Sequence, residues 1–369
     1  MKIPLLLALT FSACTLFAAD IVIDWNWNRA KELHGRAQRG EKLTPEEQSY
    51  YDEARRQRGQ AASGPASTGP RETPAPAAAG LIPLTELSEP YKGQNGGLYG
   101  GGKNEPPAAH AELAARAVAQ IQPLDASGKP SPSGRVVLLT IGMSNTTQES
   151  SAFKRLADAD PRKAETVTIV DGAQGGMDAT RWTAAGTQTW SIADARIQAA
   201  GANPAQVQAV WLKQALISPQ TGFPAEADRL RERLAEIVRL AHGRYPNLRV
   251  IFLSSRIYAG YATTALNPEP YAYESAFAVR GLIQQQMKNE PPLNADPKRG
   301  EVRAPVLLWG PYLWAGPVPR KGDSLSYIPS DFAKDGTHPG DSGRAKVAKL
   351  LLDFFTSDPH AKPWFARKP

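Results

Sequence analysis

The chain has 369 residues, enough for one large domain and an extension, since domains run to roughly 100 to 250 residues. Its 43 basic and 36 acidic residues leave +7, but no dense basic stripe interleaved with aromatics is present, which argues against a nucleic-acid partner. Cys14 is the only cysteine, so neither an intrachain disulfide nor a cysteine-based metal site can form.

Met1 to Asp20 carries one lysine, the apolar stretch Ile3 to Phe17 and small residues at Ala18 and Ala19, the layout of a secretory signal over residues 1–19. The mature chain is therefore expected to be exported, to a periplasmic or extracellular location. Phe11-Ser12-Ala13-Cys14 also approaches the bacterial lipoprotein signal, with phenylalanine where leucine is usual, so a lipid anchor at Cys14 stays open as the one membrane attachment. No later stretch approaches the ~20 apolar residues of a membrane span.

Residues 20–60 predict a helical hairpin. Trp27, Ala30, Leu33 and Ala37 form one stripe of its first helix, and Thr44, Pro45 and Glu47 make a capping box for the second. His34 reads as a surface residue there, since no second ligand type stands at metal spacing. Residues 61–80 are almost entirely Ala, Pro, Gly, Ser and Thr with little to bury, and predict a flexible linker; the main domain is expected over 81–369. Gly96 to Asn104 packs glycines around Tyr99 without phosphate-loop spacing, and predicts a backbone folded closely against the main domain, beside the site. His110 opens a helix and is assigned a structural role; His242 closes one and is discounted as catalytic.

Arg135 to Thr146 is a β-branched and aliphatic run that breaks at Gly142 and delivers Ser144, and so predicts a buried strand ending in a turn. Ser144 then stands at the carboxyl end of a central strand, where open α/β sheets place ligands and catalytic groups, and is the candidate nucleophile. Further apolar runs at 166–170, 207–212, 249–253 and 305–309 alternate with helical patterns, such as Leu230, Leu234, Ile237 and Ala241. Strands alternating with helices predict an α/β domain: a parallel sheet covered on both faces, with right-handed crossovers. Near the C-terminus Asp335 and His338 lie on one loop before an amphipathic helix. A histidine takes a serine proton when a carboxylate fixes its tautomer, and this spacing lets one short loop supply both.

In these blocks the chain resembles the SGNH, or GDSL-like, hydrolases over roughly residues 134 to 356. Gly142-Met143-Ser144-Asn145 is similar to the nucleophile block in the form found in some carbohydrate acetylesterase-like members. Asp171-Gly172-Ala173-Gln174-Gly175-Gly176 is similar to the glycine block, and Asp335-Gly336-Thr337-His338 to the final block. The resemblance implies a three-layer α/β/α flavodoxin-like fold with five parallel strands in order 2-1-3-4-5. It also implies ester hydrolysis by Ser144, Asp335 and His338 through an acyl-enzyme, with no metal or cofactor. Gly175 or Gly176 is expected to donate a backbone N–H to the oxyanion.

Where the family usually has Gly-x-Asn-Asp, this chain has Trp211-Leu212-Lys213-Gln214-Ala215. Gln214, or failing it Lys213, is the candidate for the missing asparagine donor. Arg256, Tyr258, Tyr261 and Trp182, with Trp190, are candidates for a sugar-binding pocket, with local packing as the alternative. The expected partner is an ester substrate, an acylated carbohydrate first. The competing readings are a non-catalytic exported binding module on the same fold and a lipid-directed esterase.

Overall fold

The computed structural model describes residues 29, 30, 32, 33, 36, 41, 43–62 and 69–367, with side chains of 53 and 55–62 left aside. The stretch expected to be an export signal, Cys14 and His34 lie outside them, as do Trp27 and Ala37. The chain divides into two compact units, Met1–Ala66 and Ser67–Pro369.

In the first unit, residues 29, 30, 32, 33 and 36 are helical, Ala30 and Leu33 are buried, and helix α1 runs Pro45–Ala62. Its capping box forms as the sequence predicts: the Glu47 N–H donates to Thr44 Oγ1 at 3.2 Å and the Thr44 N–H to Glu47 Oε2 at 2.9 Å. Helix α1 continues into the first two residues of the expected linker. The other end of that linker also needs correction. The Arg71 N–H donates to the Tyr261 carbonyl at 3.1 Å and the Ala75 N–H to Gly260 at 2.8 Å, so residues 71–80 belong to the main unit. Composition hid this, because the segment is held mainly by hydrogen bonds, including one from Arg71 Nε to the Ala262 carbonyl at 3.0 Å, and buries only the small side chain of Ala78.

The second unit contains α2 (Ala108–Val118), β1 (Val136–Gly142), α3 (Ser144–Asp158), β2 (Val167–Asp171), α4 (Gln188–Ala199), β3 (Val207–Lys213), α5 (Ala225–Arg244), β4 (Val250–Leu253), α6 (Tyr271–Met287), β5 (Val306–Trp309), α7 (Asp341–Ser357) and α8 (Lys362–Phe365). All five strands pair in parallel in the order β2-β1-β3-β4-β5. Every residue of β1 and β3 is buried, as expected of central strands covered on both faces. Helix α3 packs on α7, and α5 on α6. With right-handed crossovers this gives a helical layer on each side of the sheet, the three-layer flavodoxin-like architecture the sequence implied.

The glycine-rich segment lies elsewhere than expected. Gln284 on α6 donates to the Tyr99 carbonyl at 3.0 Å, and the Trp309 indole N–H donates to Leu98 at 2.6 Å. It thus covers α6 and the edge strand β5, away from β1. Gly97, at φ +87°, has no room for a side chain, because a Cβ would stand 2.4 Å from Lys103 N. His110 has the structural role assigned to it: it is buried, with Nε2 2.7 Å from the Leu307 carbonyl.

Candidate active site

Strand β1 ends at Gly142, whose absent side chain matters, since a Cβ there would stand 2.3 Å from both the Lys213 carbonyl and Thr146 Oγ1. The chain turns through Met143, and Ser144 becomes the first residue of α3. The N–H groups of a helix's first turn have no intrahelical partner and carry the positive end of the dipole. Ser144 is half-buried, whereas Asn145 and Thr146, which follow it, are buried.

Ser144 Oγ lies 2.8 Å from His338 Nε2, and His338 Nδ1 lies 2.5 Å from Asp335 Oδ2. An ionised carboxylate only accepts, so Nδ1 carries the ring proton and Nε2 accepts from the serine hydroxyl. Asp335 Oδ1 takes the backbone N–H groups of Thr337 and His338, each at 3.0 Å. Burial alone would push the Asp335 pKa up, but the bond from the His338 ring and the two backbone bonds outweigh it and hold the pKa down to about 2.

The histidine loop is fixed from two sides. Asn145 donates to the Thr337 carbonyl at 2.9 Å, tying the nucleophile helix directly to it. The Thr263 N–H donates to the Asp335 carbonyl at 2.9 Å, and Gly336 sits at φ +62°, so close to Tyr261 that a Cβ would stand 1.8 Å from its carbonyl oxygen. Asn145 was not among the sequence candidates. Its position directly after the nucleophile was the available signal.

After β2, the Gln174 N–H donates to the Gly142 carbonyl at 3.0 Å, which brings the glycine block to the end of β1. Asp171 anchors that block: it accepts from Thr140 Oγ1 at 3.1 Å, from the Ala173 N–H at 3.0 Å and from Thr147 Oγ1. Burial raises the Asp171 pKa, opposed by those bonds and by Arg196. A Cβ built on Gly175 would lie 3.9 Å from that of Ser144, and Gly175 and Gly176 are both exposed. Their N–H groups make no hydrogen bond to other described residues.

Two expectations for the asparagine substitute change. Lys213 is buried, its Nζ 2.6 Å from Glu149 Oε1 on α3, and so belongs to an ion pair under the nucleophile helix. Burial lowers its pKa to about 8, with Glu149 opposing the shift and Arg256 adding to it. Gln214 is buried as well, and its Nε2 donates to the Met177 carbonyl at 3.2 Å. Trp182 Nε1 donates to that same carbonyl at 3.3 Å. Gln214 and Trp182 thus both hold the Met177 carbonyl, directly after Gly175 and Gly176.

The proposed sugar-pocket side chains are core residues, which favours the packing alternative. Trp182 is fully buried in an edge-to-face pair with Trp190, ring centroids 4.9 Å apart. Tyr258 stacks edgewise on Tyr261 and Trp314, and the Tyr261 hydroxyl donates to the Tyr327 carbonyl at 3.2 Å. Arg256 is only 3% exposed, with Nε and Nη2 lacking a hydrogen-bond partner among the described residues. Burial pulls its pKa down, and Glu149, Glu269 and Asp335 pull it back up.

No family model matches the chain, and no curated protein matches it. Among solved structures, a proposed acylhydrolase from Bacteroides fragilis is 13% identical, with 68% of this chain and 95% of that one covered, at a TM-score of 0.35. The periplasmic domain of a lipopolysaccharide acetyltransferase from Salmonella ser. Paratyphi A is 14% identical, covering 59% and 82%, at 0.33. A GDSL-like lipase from Bacteroides thetaiotaomicron is 13% identical, covering 66% and 95%, at 0.30.

Proposed function

We propose that this chain is an exported serine esterase of the SGNH type, which transfers an acyl group from an ester of a carbohydrate, an acetate first, to water. The observation that carries the proposal is the hydrogen-bonded series Ser144, His338, Asp335 beside the free N–H groups of the α3 N-terminus and the glycine block. Ser144 Oγ attacks the ester carbonyl as His338 Nε2 takes its proton, and Asp335 stabilises the imidazolium. The tetrahedral oxyanion is held by the N–H of Ser144 and that of Gly175 or Gly176, each donor contributing about 3 to 4 kcal/mol to the transition state. His338 returns its proton to the leaving alcohol, then activates the water that releases the acid.

The carbohydrate assignment rests on the Gly142-Met143-Ser144-Asn145 block, and the glycines and polar groups around Ser144 support a short acyl group over a lipid chain. Export rests on the layout of residues 1–19, and attachment at Cys14 remains its lipid-anchored variant. The test is labelling by a fluorophosphonate, together with turnover of p-nitrophenyl acetate, longer p-nitrophenyl esters and acetylated glycans. Labelling at Ser144 and faster release of acetate are expected, both lost in Ser144→Ala. A folded protein inert towards every ester would establish the binding-module reading, and preference for long chains the lipid-directed one.

A further inference from the structure

Two charged groups that the mechanism does not use, Asp171 and Arg196, meet at the turn that follows β2. The Asp171 carboxylate joins three segments. Its Oδ1 accepts from Thr140 Oγ1 on β1 at 3.1 Å and from the Ala173 N–H at 3.0 Å. Its Oδ2 accepts from Thr147 Oγ1 and, at 3.3 Å, from Ser151 Oγ, both on α3. Thr147 and Ser151 lie one turn apart and Thr147 stands three residues after Ser144, so the carboxylate grips the face of the helix that the nucleophile begins. From α4, Arg196 Nη1 donates to the carbonyls of Asp171 at 2.9 Å and Ala173 at 2.7 Å.

From the Asp171 carbonyl to the Gln174 carbonyl every backbone polar group then has a partner. The Gly172 N–H donates to the Thr140 carbonyl and the Gln174 N–H to the Gly142 carbonyl, each at 3.0 Å, and Gln174 Nε2 donates to the Gly172 carbonyl at 3.1 Å. The Met177 N–H donates to the Gln174 carbonyl at 3.3 Å and closes a turn over Gly175 and Gly176, with Gly176 at φ +77°. The N–H groups of these two glycines are the first in the segment without a partner among the described residues. A glycine has no side chain to fix its backbone, so the direction of both N–H groups is inherited from the tied residues before them. Ending β2 would need only the bond to the Ala173 N–H. The bonds to Thr147 and Ser151 add the helix that carries Ser144.

We propose that Asp171 and Arg196 are positioning residues of the oxyanion hole: together they fix the Gly175 and Gly176 N–H groups against the N-terminus of α3, so that donors from two segments meet at one oxyanion. The role rests on the acyl transfer proposed above, and both side chains act through backbone donors rather than on the substrate.

The test uses the full chain and its Asp171→Ala, Asp171→Asn and Arg196→Met variants, with the Asp171→Ala/Arg196→Met pair. Four quantities are measured: kcat and KM for p-nitrophenyl acetate, Tm, and the affinity of phenylboronic acid, whose tetrahedral adduct on Ser144 mimics the intermediate. Asp171→Ala should lower kcat by about tenfold to a hundredfold with KM within about twofold, because the hole is used only once charge develops. Affinity for the boronic acid should fall by the same factor as kcat. Asp171→Asn should recover most of that loss, since its carbonyl still accepts from Thr140 and Ala173 and its NH₂ can donate to the Thr147 hydroxyl. Arg196→Met should lower kcat by about threefold to tenfold, and the pair by less than the product of the two, since both hold one turn. Should Asp171→Ala fail to fold, Arg196→Met, at a half-buried side chain, must give the same split of kcat from KM. With the parent active, three results would each overturn this role alone: unchanged kcat in the folded variants, a loss carried by KM, or Asp171→Asn as damaging as Asp171→Ala. A parent inert towards every ester would overturn the proposed function and this role with it.

Discussion

Replacing Asp335 with asparagine separates orientation of the histidine from everything else the loop does. Both backbone bonds go to Oδ1, which asparagine keeps, whereas the ring bond goes to Oδ2, which becomes an NH₂. Nδ1 must then accept, the ring proton moves to Nε2, and Nε2 faces Ser144 as a donor that cannot take a proton. The kcat for p-nitrophenyl acetate should fall by about 10⁴, or roughly 5 kcal/mol of transition-state stabilisation. Stability supplies an independent reading. The Asp335 pKa lies near 2 against an ordinary 3.8, a depressed carboxylate, so its contribution is present above about pH 4 and is lost as pH falls through 2. That lowering corresponds to about 2.5 kcal/mol, and the side chain is 29% exposed, so screening brings the expected value to about 1 to 2 kcal/mol. Urea unfolding at pH 6 should show that loss in the variant, and at pH 2 the difference from the parent should shrink. A folded variant that keeps more than a tenth of the parental kcat would refute the assignment of Asp335 as the orienting carboxylate.

Gln214→Ala should lower kcat by about threefold to tenfold with little change in KM, well short of the roughly hundredfold loss of a direct oxyanion donor, because Trp182 still holds the Met177 carbonyl. A hundredfold loss would return Gln214 to the oxyanion hole. Lys213→Met should destabilise the fold by about 3 to 5 kcal/mol, measured in urea, by leaving Glu149 buried without its partner, and adding Glu149→Leu should restore most of that. A double variant as unstable as the single would refute the pairing argument. Deleting residues 1–66 should leave turnover largely intact, whereas deleting 1–80 should lower Tm by several degrees, because it removes the backbone bonds of Arg71 and Ala75 to residues 260–261. Equal Tm values for the two truncations would show that these bonds add nothing measurable.

A parallel sheet with buried central strands was legible because such strands must be apolar on both faces, and the runs around 136–142 and 207–213 have that character, whereas the strand order came from the resemblance of the motif blocks. Ser144, Asp335 and His338 were legible for a different reason. Turns at strand ends keep chemistry-bearing residues in short local patterns, and one short loop carries both partners of the serine. The supporting side chains were less accessible. Trp182, Tyr258 and Tyr261 follow strands as pocket aromatics would, and only packing reveals that they point inward. Nothing local in the sequence marks Glu149 as the partner of Lys213, since 64 positions separate them. The linker boundary failed for another physical reason: Arg71 and Ala75 dock by hydrogen bonds to backbone carbonyls of residues 260–262, which composition does not register.

The fate of the position after β3 follows from strand geometry. Neighbouring residues on a strand project to opposite faces, so Lys213 and Gln214 could not both reach the oxyanion. Lys213 turns towards α3, where Glu149 lies five residues along the helix that Ser144 begins, and the pair joins that helix to the central sheet. An ammonium left free there would have stood unpaired in the core, and Glu149 supplies its partner. Gln214 turns the other way and reaches the Met177 carbonyl, at the turn that presents Gly175 and Gly176. Under the proposed mechanism, the negative charge of the tetrahedral intermediate then falls to backbone N–H groups. Those groups are held in place by the Gln174 to Gly142 bond, by Asp171 on the Ala173 N–H, and by two side chains on Met177. Such donors are fixed before substrate arrives and need no reorganisation as charge develops, which is the condition under which a donor lowers the barrier.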